Sequence, residues 1–147
     1  MTGSDFIIAQ LALRAWQDGK ENGINGMLAV AFTIKNRVKA GWYDGDWIEV
    51  LSNHKKWSHK LEPYSSQLPN PNNFAFRSLL QEVSGIFSGA RRDDILMATE
   101  SVLSVAPPPA LYYGVLEEID NPWFLDNISR SIDHRRIAQV GTLFFWT

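Results

Sequence analysis

Apolar residues recur at intervals of three and four positions along much of the chain. Residues with this spacing share one face of an α-helix, so the pattern predicts helices that each bury one side. We expect the first helix to begin at Ser4 or Asp5, either of which can cap it, and to end at Asp18-Gly19. Its predicted buried face consists of Ile8, Leu11, Ala12, Ala15 and Trp16.

Four further helices are predicted, and each is bounded by residues that commonly begin or end helices. Lys20 to Gly23 is expected to be a short polar loop before the second of them. The predicted helices are a second from about Ile24 or Asn25 to Lys39, a short third capped by Asp46, a fourth from its cap Asn73 to Gly89, and a fifth from Ile95 to about Val105, capped by Asp93 or Asp94.

The C-terminal part of the chain has a different pattern. Leu111-Tyr112-Tyr113 is typical of a short strand, and Pro122 to Ile128 of one or two helical turns. Arg136 to Val140 and Leu143 to Trp146 flank Gly141-Thr142, which predicts a β-hairpin. The sequence therefore indicates an α+β fold that is mainly α-helical, formed by residues 1–147 as a single domain with a small C-terminal β-hairpin.

Composition narrows the classes of function. Of the 147 residues, 45% are hydrophobic and 20% charged, which is typical of a globular domain. The absence of cysteine excludes a disulfide scaffold, a thiol nucleophile and a thiolate metal site. The net charge of -2 argues against nucleic-acid binding, and no apolar run is long enough for stable membrane insertion. The N-terminus lacks the basic start and apolar stretch of a signal peptide.

No cofactor or metal is expected either. His54, His59 and His134 do not have the spacing of metal ligands, and no phosphate-binding glycine-rich loop is present. The stretch from His54 to Asn73 is rich in Pro, Asn and Ser and is predicted to be irregular, as either a functional loop or a solvated connector.

Two parts of the chain resemble the spore-cortex-lytic (SleB-like) family of cell wall hydrolases, which includes many phage lysins. The first has an aromatic residue two positions before an acidic one, a Gly-x-x-Ala-Val-Ala segment, and Asn-Arg-Val at the end of a helix. These elements are Trp16 to Asp18, Gly26 to Ala31 and Asn36 to Val38. The second part comprises Ala110 to Tyr113, Asn121-Pro122-Trp123, Ile137 to Gly141 and Phe144-Phe145.

This resemblance implies a lysozyme-like fold and cleavage of the β-1,4 bond between N-acetylmuramic acid and N-acetylglucosamine. The expected partners are therefore the glycan strands of peptidoglycan. Lytic transglycosylases of this kind close an anhydro ring instead of adding water. A phage or bacterial lysin without a signal peptide is expected in the host cytoplasm before release or in the virion, with delivery by the virion or through a holin.

Cleavage of a glycosidic bond requires a proton on the leaving oxygen. In a lytic transglycosylase, one carboxyl group can donate that proton and then accept another from the attacking hydroxyl. Such an acid is expected to be partly buried, with a raised pKa. The resemblance assigns this role to Asp18, although the family has Glu there and Asp is about 1.5 Å shorter in reach. Glu21, in the same predicted loop, is the alternative acid.

Five further residues are candidates for substrate binding. Tyr112 and Tyr113 can donate hydrogen bonds to a glycan or to the acid, or can simply pack on the strand. Trp123 is either a platform for sugar stacking or part of the core. Asn36 and Arg37 can hold substrate, while Arg37 can instead pair with a carboxylate such as Asp18 or Glu118 or satisfy helix carbonyls.

Two more departures from the family pattern support a second hypothesis. The family often has histidine where this chain has Leu143, and on its strand where this chain has Tyr112 and Gly114. Together with Asp18, these differences favour the alternative of a catalytically inactive relative, which serves as a glycan-binding or virion structural module.

Overall fold

A computed structural model describes residues 3–61, 69–70, 72–93, 96 and 109–147. It is mainly helical, with a small antiparallel sheet near the C-terminus, as an α+β fold requires. The helices are α1 (Gly3–Gly19), α2 (Gly23–Lys39), α3 (Trp47–Ser52) and α4 (Phe74–Ser88), and the strands are β1 (Tyr112–Val115), β2 (Arg136–Val140) and β3 (Leu143–Trp146). Nearly all of the predicted fifth helix lies outside the described residues.

Several helix boundaries follow local capping chemistry and confirm the prediction. The Asp46 carboxylate accepts hydrogen bonds from the backbone N–H groups of Ile48 and Glu49 at the start of α3. The Asn73 side chain caps α4 by accepting from the N–H of Phe76, and Gly89 ends that helix with a φ of 85°. Each cap satisfies helix-end groups that would otherwise have no partner within the helix.

The first two helices are closer together than the predicted polar loop implied. Only a 3₁₀ turn, Lys20–Asn22, separates them. A Cβ atom on Gly19 would lie 2.6 Å from the Cα of Met27, so only glycine allows the two backbones to approach this closely. The end of α1 is therefore packed directly against the first turns of α2.

The second helix is the centre of the core. The sequence predicted one buried stripe on α2, but all residues from 26 to 34 are buried. A helix surrounded by protein on every side needs no polar face. Leu11 and Ala15 of α1 and Leu79 and Val83 of α4 belong to the same hydrophobic cluster.

The predicted β-hairpin is confirmed at both strands, and the short strand predicted at Leu111-Tyr112-Tyr113 joins it as β1. The three strands form an antiparallel sheet in the order β1-β3-β2, in which Tyr113 lies opposite Phe145. Asn22 fastens the hairpin turn to the link between the first two helices, because its side-chain oxygen accepts from the N–H and hydroxyl of Thr142. The C-terminal sheet is thus held next to the end of α1.

A second, aromatic cluster lies on the other side of the sheet. Its buried members are Tyr112, Phe124, Ile128 and Trp146. Phe124 and Ile128 belong to the segment predicted as one or two helical turns, which consists of a short helix, Pro122–Phe124, followed by a π-helical turn, Leu125–Ser129. In the ranges that the structure describes, no helix combines the length and apolar character needed to cross a membrane.

Candidate active site

Four side chains from distant parts of the chain meet at the end of α1. Asp18 lies on the last turn of α1 and Arg37 on the last turn of α2. His54 begins the 3₁₀ turn His54–Trp57 that follows α3, and Tyr113 lies on β1. The close packing of the helices and the attachment of the sheet bring these four elements to one point.

Asp18 is at the centre of this cluster. Its Oδ2 accepts a hydrogen bond from the Tyr113 hydroxyl and lies 3.2 Å from Nε2 of His54. The Tyr113 hydroxyl is also 2.8 Å from that Nε2. The Asp18 side chain keeps 12% of its surface exposed, whereas His54 keeps 2%. Asp18 is therefore the more exposed of these two members of a buried polar network.

The pKa of Asp18 is shifted in the direction opposite to the sequence-based expectation. Burial alone raises it, but the interaction with His54 and the hydrogen bond from Tyr113 outweigh burial and hold the pKa below its ordinary value of 3.8. The expectation of a raised pKa considered only burial and did not include these two partners. Asp18 is consequently an anion at neutral pH in the protein without substrate.

His54 is fixed between Asp18 and a buried cation. Its Nδ1 lies 3.0 Å from Nη1 of Arg37, on the other side of the ring from Asp18. Burial, together with the neighbouring Arg37 charge, lowers the pKa of His54 below 6.5, although Asp18 acts in the opposite direction. A neutral imidazole therefore separates the positive and negative groups.

Arg37, which is buried, and Asn36, which is half-buried, both donate hydrogen bonds to the segment that enters β1. Arg37 is 1% exposed, and its Nε donates to the carbonyl of Leu111 over 2.7 Å. The Asn36 side chain donates to the carbonyl of Ala110. Both residues thus attach the chain that enters β1 to the end of α2. Arg37 contacts His54 directly, and Glu118 instead pairs with Lys60.

Glu21, the alternative acid, is not part of the cluster. It lies in the 3₁₀ turn between the first two helices with an exposed side chain. A carboxylate surrounded by water has no neighbouring group that would prepare it for proton transfer. Of the two predicted acids, Asp18 is the one with the surroundings of a functional residue.

His59 lies close to the same network and was not identified by the sequence patterns. It is 4% exposed, and neither ring nitrogen has a hydrogen-bond partner among the described residues. Its Cβ would lie 2.9 Å from a Cβ at position 114, so Gly114 of β1 leaves the space that the imidazole occupies. Burial lowers the pKa of His59, and its charge state in turn affects Asp18.

An aromatic surface lies beyond Arg37. The Arg37 guanidinium is 5.1 Å from the ring centre of Trp42, which packs against Trp57 at 4.9 Å. Trp57 in turn packs against Trp123 at 5.2 Å, and Trp123 is 39% exposed. Trp123 is therefore partly open to solvent and is not a core residue, whereas Tyr112 is buried in the aromatic cluster.

Backbone geometry supports the position of Trp57. Tyr43 and Asp44 adopt positive φ angles of 51° and 58°, which are uncommon for residues other than glycine. This turn places the Tyr43 hydroxyl where it accepts a hydrogen bond from the Trp57 indole over 3.3 Å. Asn121 also ties the Trp123 segment to the Trp57 segment by donating to the carbonyl of Ser58.

Other binding chemistry is limited in what the structure describes. Within the ranges given above, no group of three or more histidine or acidic side chains is arranged to hold a metal ion. No family model matches the chain, and neither a curated protein nor a solved structure does. The function is therefore argued from the sequence resemblance and from the geometry around Asp18.

Proposed function

We propose that the chain cleaves the β-1,4 bond between N-acetylmuramic acid and N-acetylglucosamine in peptidoglycan. In this proposal the domain is lysozyme-like, acts as a lytic transglycosylase or muramidase, and uses Asp18 as its acid and base. One observation carries the proposal: Tyr113 and His54, which are 59 positions apart in the sequence, converge on the carboxylate of Asp18, whose side chain remains 12% exposed. Ionisable groups whose pKa is shifted by burial together with specific polar partners cluster at functional sites.

The proton balance of the reaction follows from the charge of Asp18. Its pKa is below the ordinary range, so the free protein must take up a proton before it can protonate a leaving oxygen. A bound glycan would cover the exposed part of the carboxylate and so strengthen the effect of burial, which raises the pKa. The protonated Asp18 then protonates the glycosidic oxygen, and the resulting carboxylate takes the proton of the attacking hydroxyl.

The need for a protonated Asp18 makes the rate of cleavage depend on pH. Protonated Asp18 becomes more abundant as pH falls, so the rate of cleavage is expected to rise toward acidic pH while the protein remains folded. The exposed Trp123 and the adjacent Trp57 supply flat apolar faces on which sugar rings can stack. These tryptophan faces support an enzyme with a glycan substrate.

The test is incubation of purified protein with peptidoglycan sacculi, followed by mass spectrometry of the released muropeptides. Anhydro-muropeptides support transglycosylation, and products with a reducing end indicate hydrolysis. We expect Asp18→Asn to lower the rate by a hundredfold or more, since general acid–base catalysis contributes about 10² to 10⁴. Intact sacculi after prolonged incubation with the wild-type protein would refute the enzymatic proposal.

Glu21→Gln is the matched control, because it removes a carboxylate from the adjoining turn without touching the cluster. It is expected to leave the cleavage rate nearly unchanged. Equal losses in the Asp18 and Glu21 variants would mean that Asp18 has been assigned the wrong role. Circular dichroism of both variants would separate lost chemistry from lost structure.

A second function is favoured by the same carboxylate. An anionic Asp18 whose Oδ2 already has two close partners is also what a stable polar core requires. The alternative is therefore a catalytically inactive relative that acts as a glycan-binding or virion structural module. Wild-type protein that co-sediments with sacculi without releasing muropeptides would favour this alternative. Delivery by a virion or through a holin belongs to both hypotheses.

A further inference from the structure

The hydrogen-bonding chemistry of Arg37 restricts the proton positions on His54. A guanidinium group has only donors, so Nη1 of Arg37 must donate to Nδ1 of His54 across their 3.0 Å separation. A nitrogen that accepts a hydrogen bond carries no proton. Because both side chains are almost completely buried, water has little access to disturb this arrangement.

The other ring nitrogen must then carry the proton of the neutral imidazole. Nε2 lies 3.2 Å from Oδ2 of Asp18 and 2.8 Å from the Tyr113 oxygen. The Tyr113 hydroxyl uses its own hydrogen on Asp18, so its oxygen can accept from Nε2. Each hydrogen bond in this network is consequently donated in the same direction, from Arg37 through His54 toward the carboxylate.

We propose that Arg37 selects the Nε2–H tautomer of His54, and that His54 in this state is the positioning residue that orients Asp18. The tautomer follows from geometry alone, whereas the role of His54 in glycan cleavage rests on the proposed function. His54 is not a proton acceptor in this scheme, because a second proton on Nδ1 would point at the Arg37 guanidinium. The proton that Asp18 needs must therefore come from a group other than His54.

These hydrogen bonds also give a reason for the burial of Arg37 next to the site that contains Asp18. Buried hydrogen bonds that share one direction polarise one another and become stronger together. Charge-assisted hydrogen bonds to a carboxylate are among the strongest in proteins. Arg37 thus acts on Asp18 through His54, although its guanidinium is bonded to the imidazole and to the carbonyl of Leu111.

The experiment is NMR on wild-type protein labelled with ¹⁵N-histidine, with His54 assigned from the spectrum of His54→Gln. The long-range proton–nitrogen pattern is expected to show an unprotonated Nδ1 and a protonated Nε2. It is expected to remain so as pH falls below 6.5, the ordinary pKa of histidine. A protonated Nδ1, or a His54 ring that takes up a proton at pH 6.5, would overturn the proposal.

The positioning role is tested with two variants and two readouts. His54→Phe removes the donor, whereas His54→Gln supplies an amide N–H in its place. We expect the ¹³C-detected pKa of the Asp18 carboxyl to rise in His54→Phe and to rise less in His54→Gln. At acidic pH, where Asp18 is protonated in both proteins and only its orientation differs, cleavage should fall by about tenfold to a hundredfold in His54→Phe, as for loss of a hydrogen bond to a charged group.

Failure of this inference can be distinguished from failure of the proposed function. The tautomer and the Asp18 pKa are measured without substrate, so they hold or fail whether or not sacculi are cut. An unchanged Asp18 pKa in folded His54→Phe would refute the positioning role, even in an active enzyme. If His54→Phe does not fold, the wild-type spectrum still decides the tautomer, and the Asp18 pKa in His54→Gln, which must rise, decides the positioning role.

Discussion

The hydroxyl of Tyr113 donates a hydrogen bond to the carboxylate of Asp18, although the two residues are 95 positions apart in the sequence. This contact joins the first helix to the C-terminal sheet. It depends on the register of β1 against β3, where Tyr113 is paired with Phe145. The candidate site is therefore complete only when both ends of the chain have folded together.

Tyr113→Phe tests this contact with the loss of one oxygen atom. Because a donor to the carboxylate disappears, the pKa of Asp18 should rise, and the pH profile of any glycan cleavage should move toward higher pH. The free energy of unfolding should fall by about 1.5–3 kcal/mol, which is typical of a hydrogen bond to a charged group. Chemical denaturation and pH–rate measurements supply the two readouts.

Tyr112→Phe is the matched control for that substitution. Tyr112 is the preceding residue on β1, but it packs in the aromatic cluster beside Phe124 and Trp146. Its loss of a hydroxyl should leave the Asp18 pKa unchanged. A similar pH shift in both variants would mean that the sheet as a whole, and not the Tyr113 hydroxyl, determines the charge on Asp18.

Local sequence signals predicted much of the fold. Asp46 and Asn73 cap helices because their side chains reach backbone N–H groups only two or three positions away. The hairpin around Gly141 was predicted with the observed strand boundaries, since turn residues between two β-rich runs specify it locally. Such features need no knowledge of the rest of the chain.

The polar network was predicted only in part, because its contacts are distant in sequence. Asp18 was recognised from its position after Trp16, but nothing local distinguishes His54, whose contact with Asp18 spans 36 positions. A single histidine in a lysine-rich segment resembles a solvated residue. The lowered pKa of Asp18 was missed for the same reason, as it depends on the partners that folding brings.

Acid should destabilise the protein through its two buried histidines. Burial, as the largest influence, lowers the pKa of both His54 and His59 from the ordinary value of 6.5. Below pH 6.5 the unfolded chain takes up protons that the folded protein does not, so stability falls as pH falls. The limit is about 1.4 kcal/mol per pH unit for each histidine.

Denaturant unfolding on both sides of pH 6.5 would measure this effect, with His59→Asn expected to reduce the slope. Asp18 contributes separately at lower pH. Its depressed pKa stabilises the fold above the ordinary value of 3.8, and this stabilisation is lost as pH falls from there through the folded pKa. An unfolding free energy that is constant across pH 6.5 would contradict the assignment of neutral, buried imidazoles.

Glycan binding should depend on two adjoining tryptophans, the half-buried Trp57 and the exposed Trp123. Trp57→Ala or Trp123→Ala should weaken binding to soluble peptidoglycan fragments by about fivefold to thirtyfold, which corresponds to 1–2 kcal/mol for an aromatic contact residue. Isothermal titration calorimetry is the measurement. Phe74→Ala serves as the control, because Phe74 is an 83% exposed aromatic residue on α4. Equal losses in all three variants would contradict a specific tryptophan surface.

The close approach of the first two helices should be required for both stability and the position of Asp18. In Gly19→Ala, the new Cβ would lie 2.6 Å from the Cα and 2.7 Å from the N of Met27. Both are backbone atoms, so no side-chain rotation can relieve the clash. The helices must separate, and overpacking of this kind typically costs about 1–3 kcal/mol. Since Asp18 directly precedes Gly19, the movement should also lengthen its contact with Tyr113 and raise its pKa.

Gly3→Ala provides the comparison within the same helix. A Cβ on Gly3 would meet no atom within 4 Å, so this change should leave stability equal or slightly increased. Thermal unfolding of the two variants separates a steric effect from a general preference for alanine in helices. If Gly19→Ala were as stable as Gly3→Ala, α1 and α2 would have room to move apart, and the position of Asp18 would not depend on their contact.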